Sequence, residues 1–518
     1  MDFASILRKS SVMYRDNVVV SFEGREQTYA RLWARACRLA NALLDLGLAP
    51  GERVAVLADN GLEYFEQVAA LALAGLVRCP MYALNPPSGH AYMLASVGAS
   101  ACIVQDKYAA DLAGVRDEVP SLKHLITVGD CPAGSGFLGY EALIAAASAA
   151  DPHVVVDPDA DHIIRFSAGT TGRPKGIVHS AAGWLAMGNE FNLAYPIDER
   201  DVYLVASPLS HAAGLLTWPF IANGARYVVM ARFDPARFLE TIERERVTLI
   251  MAVPTMVHML CAVPEAKARD LSSLRMVRYG AAPITQKTLL AGIGLWGNIM
   301  TQVYGQSEAL PTTVLASRHH VPDGPERERR RLLSAGRPTL NTVVTIRDDD
   351  DNLLRTGETG EICVQTPGAM KRIWGDEEAT AARFTPDGAV RTRDMGYLDE
   401  DGFLYIVDRK EDMIISGGYN IWPLEVENAL AAHPDVAEVV VTGVPDEKWG
   451  ESVLAVVALE DGSVVTEEEL IEWARERVGP VKRPRTIVVS ADPLPKSAAG
   501  KLLRRQAKEK YWRPGEQG

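Results

Sequence analysis

Apolar positions recur every three to four residues from Tyr29 to Leu46, the period of a helix with one buried face, and Gly47 followed by Pro50 marks its stop. The pattern then switches to unbroken apolar runs. Arg53–Ala58 (RVAVLA) and Ala101–Val104 predict strands, with a helical pattern over Leu62–Ala74 between them. Strand-like runs return at Asp201–Ala206, Tyr227–Ala231 and Thr248–Ala252, again interleaved with helical stretches. Strands separated by helices predict parallel, doubly wound sheets, an α/β fold class. After Asn341 the rhythm becomes short strands and turns, with Thr342–Arg347 and Gly360–Gln365 flanking the run DDDDN (Asp348–Asn352). That run lacks the spaced ligands of a calcium loop and reads as a solvated hairpin turn. A charged joint, RKED (Arg409–Asp412), precedes an α+β pattern long enough for a small domain, with strands Ala437–Gly443 and Ser452–Leu459 and a helix over Thr466–Val478. The expected division is therefore residues 1–408 and 409–518.

Composition narrows the class. A chain of 518 residues exceeds a single core, and an apolar fraction of 47% describes a soluble, well-packed protein. The formal net charge of −13 argues against nucleic acid as a partner, although local basic patches remain able to hold small phosphates. The six cysteines (Cys37, Cys79, Cys102, Cys131, Cys261, Cys363) form no CxxC pair and read as reduced thiols of a cytoplasmic protein with no zinc site. The N-terminus lacks a signal-peptide pattern and no apolar run spans a bilayer, so no membrane partner is expected.

The segment FSAGTTGRPKG (Phe166–Gly176), directly after the strand-like His162–Phe166, carries the most chemistry. Its glycines, Gly169 and Gly172 among them, let the backbone curl so that N–H groups converge. Ser167, Thr170 and Thr171 add hydroxyl donors, and Lys175 supplies a full positive charge. The loop suits a polyphosphate but is not a Walker A loop, because Pro174 precedes the lysine and Gly176 follows it. Gly292–Gly297 (GIGLWG) matches the dinucleotide pattern in letters only, since a helical stretch precedes it and a strand-like one follows. His319 and His320 stand before Pro322 and a basic run, which predicts a solvated loop rather than metal ligands.

Five further segments follow in order. YGAAPI (Tyr279–Ile284) ends a strand with small residues, leaving room for a flat ring against the backbone. YGQSE (Tyr304–Glu308) puts an aromatic ring and a carboxylate at the end of the next strand, and TRDMGYLDEDGF (Thr392–Phe403) contains Asp394, an acceptor suited to ribose hydroxyls. Asp408–Glu427 holds the joint and a glycine pair, and PLPKSAAGKLLRR (Pro493–Arg505) contains Lys501 on a glycine-containing turn.

With these motifs the chain resembles, from about Gln27 to Arg505, the adenylate-forming superfamily of acyl-CoA synthetases, luciferases and peptide-synthetase adenylation domains. The resemblance implies a large N-terminal domain of two doubly wound sheets plus a small β-barrel, followed by a mobile α+β C-terminal domain. It implies ATP, Mg2+ and CoA as cofactors and co-substrates. Ser167 to Lys175 would handle the β- and γ-phosphates, with Gly169, Thr170, Thr171 and Gly172 inside the loop. Gly280, Ala281, Ala282 and Pro283 would border the adenine, with Tyr304 stacking on it. Glu308 would help hold Mg2+, and Thr170 or Ser307 would contact phosphate, Thr170 beside the metal. Asp394 would bind the ribose, with Arg409 nearby, and Lys501 would bridge the reacting carboxylate and the α-phosphate. His211, in PLSHAAG, would lie between the acyl pocket and the pantetheine passage. Glu411 stands at the hinge position, where rotation would withdraw Lys501 and present Gly417, Gly418 and Tyr419 instead.

The chain departs from the family pattern at three places: Ala168 replaces a hydroxyl residue, Arg393 replaces the usual glycine before Asp394, and Val481 replaces an aromatic before Lys482, Arg483 and Pro484. Trp449 and the basic Lys482, Arg483 and Arg485 remain to meet CoA. The acyl pocket would draw on His211, Met251, Ala281, Val303 and Leu310, with Trp184 or Met187 at its wall. That set shows no cation for a second carboxylate, which fits an aryl or medium-chain acid. The expected activity is an acyl- or aryl-CoA ligase, with a small-molecule carboxylic acid and CoA as partners. The alternatives are a ligase that loads a carrier protein, an enzyme that adenylates another oxyacid such as nitrite to diazotise an aryl amine, and a nucleotide-binding protein without catalysis. A homodimer is left open.

Overall fold

The computed structural model describes residues 2–83, 85–131, 136–167, 174–460, 462–496 and 502–512. Among them, two large sheets dominate. One has nine strands in the order Arg337–Pro338, Ala309–Leu315, Met300–Gln306, Met276–Gly280, Leu249–Ala252, Val202–Val205, Arg226–Val229, Val18–Phe22 and Arg25–Thr28. Its centre is parallel and its two ends are antiparallel. The other has eight, in the order Arg372–Ile373, Lys175–Ser180, Asp161–Ser167, Val77–Pro80, Arg53–Leu57, Ala101–Gln105, His124–Val128 and Leu138–Gly139. The expected strands fall within a residue or two of their predicted limits, because a strand covered on both faces reads as a continuous apolar run.

The helix Tyr29–Asp45 starts where the Thr28 side chain accepts a bond from the Arg31 N–H, and it stops at Gly47, whose φ of +83° is left-handed. The next helix, Glu63–Leu73, is buried from Tyr64 to Leu73, which places it inside the core rather than on a surface. Glu66 on this helix has its charge met by the Gln27 amide (2.6 Å), Arg35 (2.5 Å) and the Tyr140 hydroxyl (2.9 Å). The space between the sheets is filled by aromatic rings: Phe65, Tyr203 and Phe220 all meet Tyr227 edge-on, at 4.9 to 5.1 Å between centroids. Each such contact adds about 0.5–1.5 kcal/mol beyond the area it buries.

A four-stranded antiparallel sheet (Val343–Arg347, Gly360–Gln365, Val390–Leu398, Leu404–Arg409) stands where the small barrel is expected, and the bridge from Leu404 to Gly336 ties it to the nine-stranded sheet. The acidic run folds as a turn, with the Asp348 carboxylate accepting the N–H groups of Asp350 and Asn352. No group of three metal-ligating side chains occurs among the described residues. Asp349 of this turn takes Lys410 of the joint at 2.6 Å.

Beyond the joint, Ile414–Ser416, Tyr419–Ile421, Val436–Asp446, Gly450–Leu459 and Thr486–Ser490 form a separate sheet with its own core around Ile414, Val441, Ala455 and Leu470. The helix that starts at Glu467 opens with a reciprocal cap between Thr466 and Glu469 and is broken at Gly479, one residue past its predicted end. The stretch GIGLW lies inside the helix Gln286–Trp296, with strand Met300–Gln306 after it, so the letter match has no dinucleotide geometry. His320 corrects the solvated-loop expectation. It is buried, its Nε2 within 2.8 Å of the Tyr279 hydroxyl, because the loop folds back over the nine-stranded sheet. None of the described helices is long and apolar enough to cross a membrane.

Candidate functional site

The phosphate-loop segment begins and ends on neighbouring strands. Ser167 closes Asp161–Ser167, Lys175 opens Lys175–Ser180, and the two residues pair directly in the antiparallel register. Gly169, Thr170, Thr171 and Gly172, together with Ala168, lie outside the described residues, as does Lys501. Lys175 Nζ reaches Asp376 at 3.1 Å, a carboxylate that no motif had marked. At the other flank, the Tyr82 hydroxyl donates to the carbonyl of Phe166, one residue before the loop.

The strands Met276–Gly280 and Met300–Gln306 run parallel and deliver the next residues to one end of the sheet. A Cβ at Gly280 would stand 2.3 Å from the Val303 carbonyl, so only glycine fits the close approach of these two strands. Ala281 follows with φ +66°. Ala281 and Pro283 are exposed, and Ala282 is half-buried. Small side chains in an opened turn leave the backbone edge accessible.

Tyr304, Asp394 and Arg409 converge. Asp394 is buried and accepts from the Tyr304 hydroxyl (2.6 Å), from the Gln306 amide and from Arg409 Nε (2.7 Å). The pairing of strands Val390–Leu398 and Leu404–Arg409 sets Asp394 directly opposite Arg409. Arg393 adopts φ +60°, the left-handed conformation that favours glycine, within the stretch where strand Val390–Leu398 shifts register against Gly360–Gln365. Glu308, also buried, pairs with Arg383 at 3.0 Å. Burial lowers the Arg383 guanidinium, offset by Glu308 and reinforced by the positive charges of Arg393 and Arg409. Ser307 contributes its carbonyl to His179 Nε2–H at 2.7 Å, and burial holds His179 down to about 4. Gln306 lies within YGQSE, where its amide was a legible signal. Arg383 and Asp376 lie far along the chain from their partners and carried none.

His211 stacks on Tyr82 with centroids 4.7 Å apart, and burial lowers its imidazole to about 4, so it is neutral at neutral pH. Trp184, Met187, Met251, Val303 and Leu310 belong to one buried cluster, which brings most of the expected acyl-pocket residues together. In the C-terminal unit, Gly417 (φ +58°) and Gly418 (φ +85°) form the turn before an exposed Tyr419. A Cβ on Gly417 would strike the Trp449 ring at 2.5 Å, and the same ring carries Arg485 at 4.6 Å and Lys448 at 5.0 Å. Arg483 is half-buried and caps the kinked helix, while Val481 is largely exposed.

Magnesium keeps several waters and takes one or two carboxylates beside the substrate phosphates, so Glu308 would suit it once released from Arg383, Thr170 lying outside the described residues. The described residues therefore fit the ion without a preformed cage.

Two doubly wound sheets, a small antiparallel sheet and a separate α+β unit, with this cluster at the strand ends, define the architecture of an adenylate-forming enzyme. The chain belongs to the family described as AMP-binding enzyme, which matches residues 7–374, and the AMP-binding enzyme C-terminal domain matches residues 425–501. It is 36% identical over 504 residues to the medium/long-chain-fatty-acid–CoA ligase FadD8 of Mycobacterium tuberculosis, covering 94% of this chain and 86% of that protein. It is also 36% identical to a feruloyl-CoA synthase of Amycolatopsis, with 94% of each chain covered. Among solved structures, ATP-bound MatB from Rhodopseudomonas palustris superposes with a TM-score of 0.89 at 26% identity, over 99% of each chain. The amide bond synthetase McbA from Marinactinospora thermotolerans gives 0.87 at 29% identity, over 98% of this chain and 100% of that one.

Proposed function

We propose that this chain is an AMP-forming acid–thiol ligase that activates an aryl or medium-chain carboxylic acid and passes the acyl group to CoA. In the first half-reaction a carboxylate oxygen attacks the α-phosphorus of ATP, the bond to the bridging oxygen breaks, and pyrophosphate leaves. In the second, the CoA thiol attacks the acyl carbonyl, AMP departs with the bonding pair, and the thiol proton passes to solvent. Two anions must meet in the first step, so the reaction needs positive charge that is already in place.

The observation that carries this reading is the cluster of Asp394 with Tyr304, Gln306 and Arg409, beside the Arg383–Glu308 pair and at the same strand ends as Gly280. Asp394, fixed in place by the Tyr304 hydroxyl, the Gln306 amide and the Arg409 guanidinium, would accept ribose hydroxyls. Tyr304 would lie against the adenine above the open edge of Gly280 to Pro283. Ser167 and Lys175, at the mouth of the loop, would hold the β- and γ-phosphates with Thr170 and its neighbours, and Lys501 would meet the reacting carboxylate. Mg2+, held by Glu308 and Thr170, would supply charge neutralisation at the phosphates. Rotation at Glu411, between units 1–408 and 409–518, would replace Lys501 by Gly417–Tyr419, with Trp449 and Arg483 on the side where CoA arrives.

The relatives named as CoA ligases support CoA as acceptor, whereas a fatty acid–[acyl-carrier-protein] ligase of Streptomyces coeruleorubidus, 32% identical over 500 residues, keeps a carrier protein as the second reading. The test is ATP–pyrophosphate exchange over a panel of carboxylic acids, repeated with CoA and thioester analysis. Acid-dependent exchange and a CoA thioester are expected. Exchange without thioester overturns the acceptor, and the absence of exchange with every acid overturns the activation.

A further inference from the structure

Behind His211 a cleft of about 280 Å3 opens at the carboxyl ends of strands from both large sheets, lined by Tyr64, Gln67, Arg78, Tyr82, Leu209 and His211 among others. Open α/β sheets bind their ligands outside the carboxyl ends of their strands. The floor of this cleft is polar in an unusual way. Arg78 is 6% exposed and Gln67 2% exposed, and neither side chain makes a hydrogen bond or ion pair with another described residue. Arg78 only lies over the Tyr64 ring, at 5.3 Å.

A second guanidinium is beside it. Arg78 pairs with Ile163 in the parallel register, and the alternation of a strand puts Arg165, two residues on, on the same face. Arg165 is 8% exposed, and its Nη1 has no hydrogen-bond partner among the described residues. It lies over the ring of Trp184 at 5.8 Å, in the wall where the acyl pocket is expected to be free of cations. The carboxylates nearby are already engaged: Asp59 at the rim by Lys107 and by the Tyr108 hydroxyl at 2.9 Å, Glu308 by Arg383. His211, neutral at neutral pH, adds no charge. Two buried guanidiniums with no ion-pair partner among the described residues are costly unless something brings an anion to them.

We propose that Arg78, Arg165 and Gln67 form a receptor for a second anionic group, a carboxylate or its equivalent, at the far end of the acid that the enzyme activates. This rests on the activation reading above and narrows its substrate class to aryl or medium-chain acids with a distal anion.

The experiment is CoA-free ATP–pyrophosphate exchange with matched pairs of acids, on an aliphatic chain and on an aryl ring, that end in a carboxylate or in a methyl group. The wild-type kcat/KM should favour the carboxylate-ended member by about tenfold or more, the range of a charge-assisted hydrogen bond. Arg78→Met should bring that ratio close to one, Gln67→Met should lower it, and Arg78→Lys should keep an intermediate value, which separates lost charge from lost folding. A wild-type ratio of one or less overturns the proposal, as does an Arg78→Met variant that slows both acids equally. If Arg78→Met instead raises KM for CoA but not for pantetheine, the anion belongs to the thiol donor and the proposal falls. Exchange with methyl-ended acids alone refutes the receptor while leaving the activation reading intact. Silence across the whole panel removes both.

Discussion

Arg504 ties the segment after Leu502 to the joint, and its replacement by methionine tests how that segment is anchored to the C-terminal unit. Arg504 donates from Nη1 to Asp408 and to Asp412, both at 2.7 Å, and from Nε and Nη2 to the two oxygens of Glu427 at 3.0 and 2.7 Å. Asp408 and Glu427 are nearly buried. Methionine keeps the stem and removes the charge, so three carboxylates are left facing one another. Breaking a buried pair from one side costs about 3–5 kcal/mol. Asp408 keeps the N–H groups of Leu424 (2.6 Å) and Arg409 (2.7 Å), and Glu427 keeps that of Val441 (2.9 Å), which points to the lower end, about 3 kcal/mol.

The deficit should depend on pH. Burial raises the Glu427 carboxyl above its ordinary 4.5, and Arg504 opposes that rise. A carboxyl that is higher in the folded state than in the unfolded one weakens folding progressively as pH climbs from its unfolded value through its folded value. Without Arg504 the folded value rises further, so the penalty of Arg504→Met should be largest near pH 8 and shrink toward about pH 5. Urea unfolding followed by the fluorescence of Trp449, Trp473 and Trp512 measures it. Since Lys501 lies three residues before Arg504, pyrophosphate exchange should fall about tenfold or more while thioester formation from supplied acyl-AMP falls less. A loss below about 1 kcal/mol, a penalty independent of pH, or equal damage to both half-reactions would refute the reasoning.

Further expectations concern single positions. Gly280→Ala should cost more than about 2 kcal/mol and abolish the rise in melting temperature on adding ATP, because its Cβ meets the Val303 carbonyl at 2.3 Å; wild-type melting would contradict the close strand approach. Arg393→Gly should stabilise by roughly 0.5 kcal/mol, the relief of a left-handed arginine less the extra freedom of an unfolded glycine, as read by urea unfolding; destabilisation would show that the Arg393 side chain holds something. With His211 held near 4 by burial, the thioester step should show no inflection near 6.5, and one that vanishes in His211→Asn would disprove it. By the same sign, this histidine weakens the fold as pH falls below its ordinary 6.5, because the unfolded chain then binds the proton.

Much of the architecture was legible because its causes are local. The buried strand Leu249–Ala252 is apolar at every position, Gly47 is the residue a left-handed helix end requires, and Gly479 breaks its helix one step beyond the predicted end. Motifs likewise announce residues whose role belongs to a loop or a strand end, such as Tyr304, Glu308 and Asp394 in their short segments. The hairpin Val18–Phe22 with Arg25–Thr28 carries no such local signal, since its place depends on pairing with Arg226–Val229 about two hundred residues later.

What the chain determines alone is therefore the repertoire: alternating sheets and helices, a glycine- and hydroxyl-rich loop, and a set of carboxylates and cations at strand ends. Only the tertiary structure decides which charges meet. Arg383 reaches Glu308, Arg409 reaches Asp394, His320 is drawn under Tyr279, and Arg78 and Arg165 find no carboxylate among the described residues. The physical reason is that side-chain charges and hydrogen bonds are satisfied across space by residues remote in sequence, whereas periodicity and turn chemistry act within a few residues.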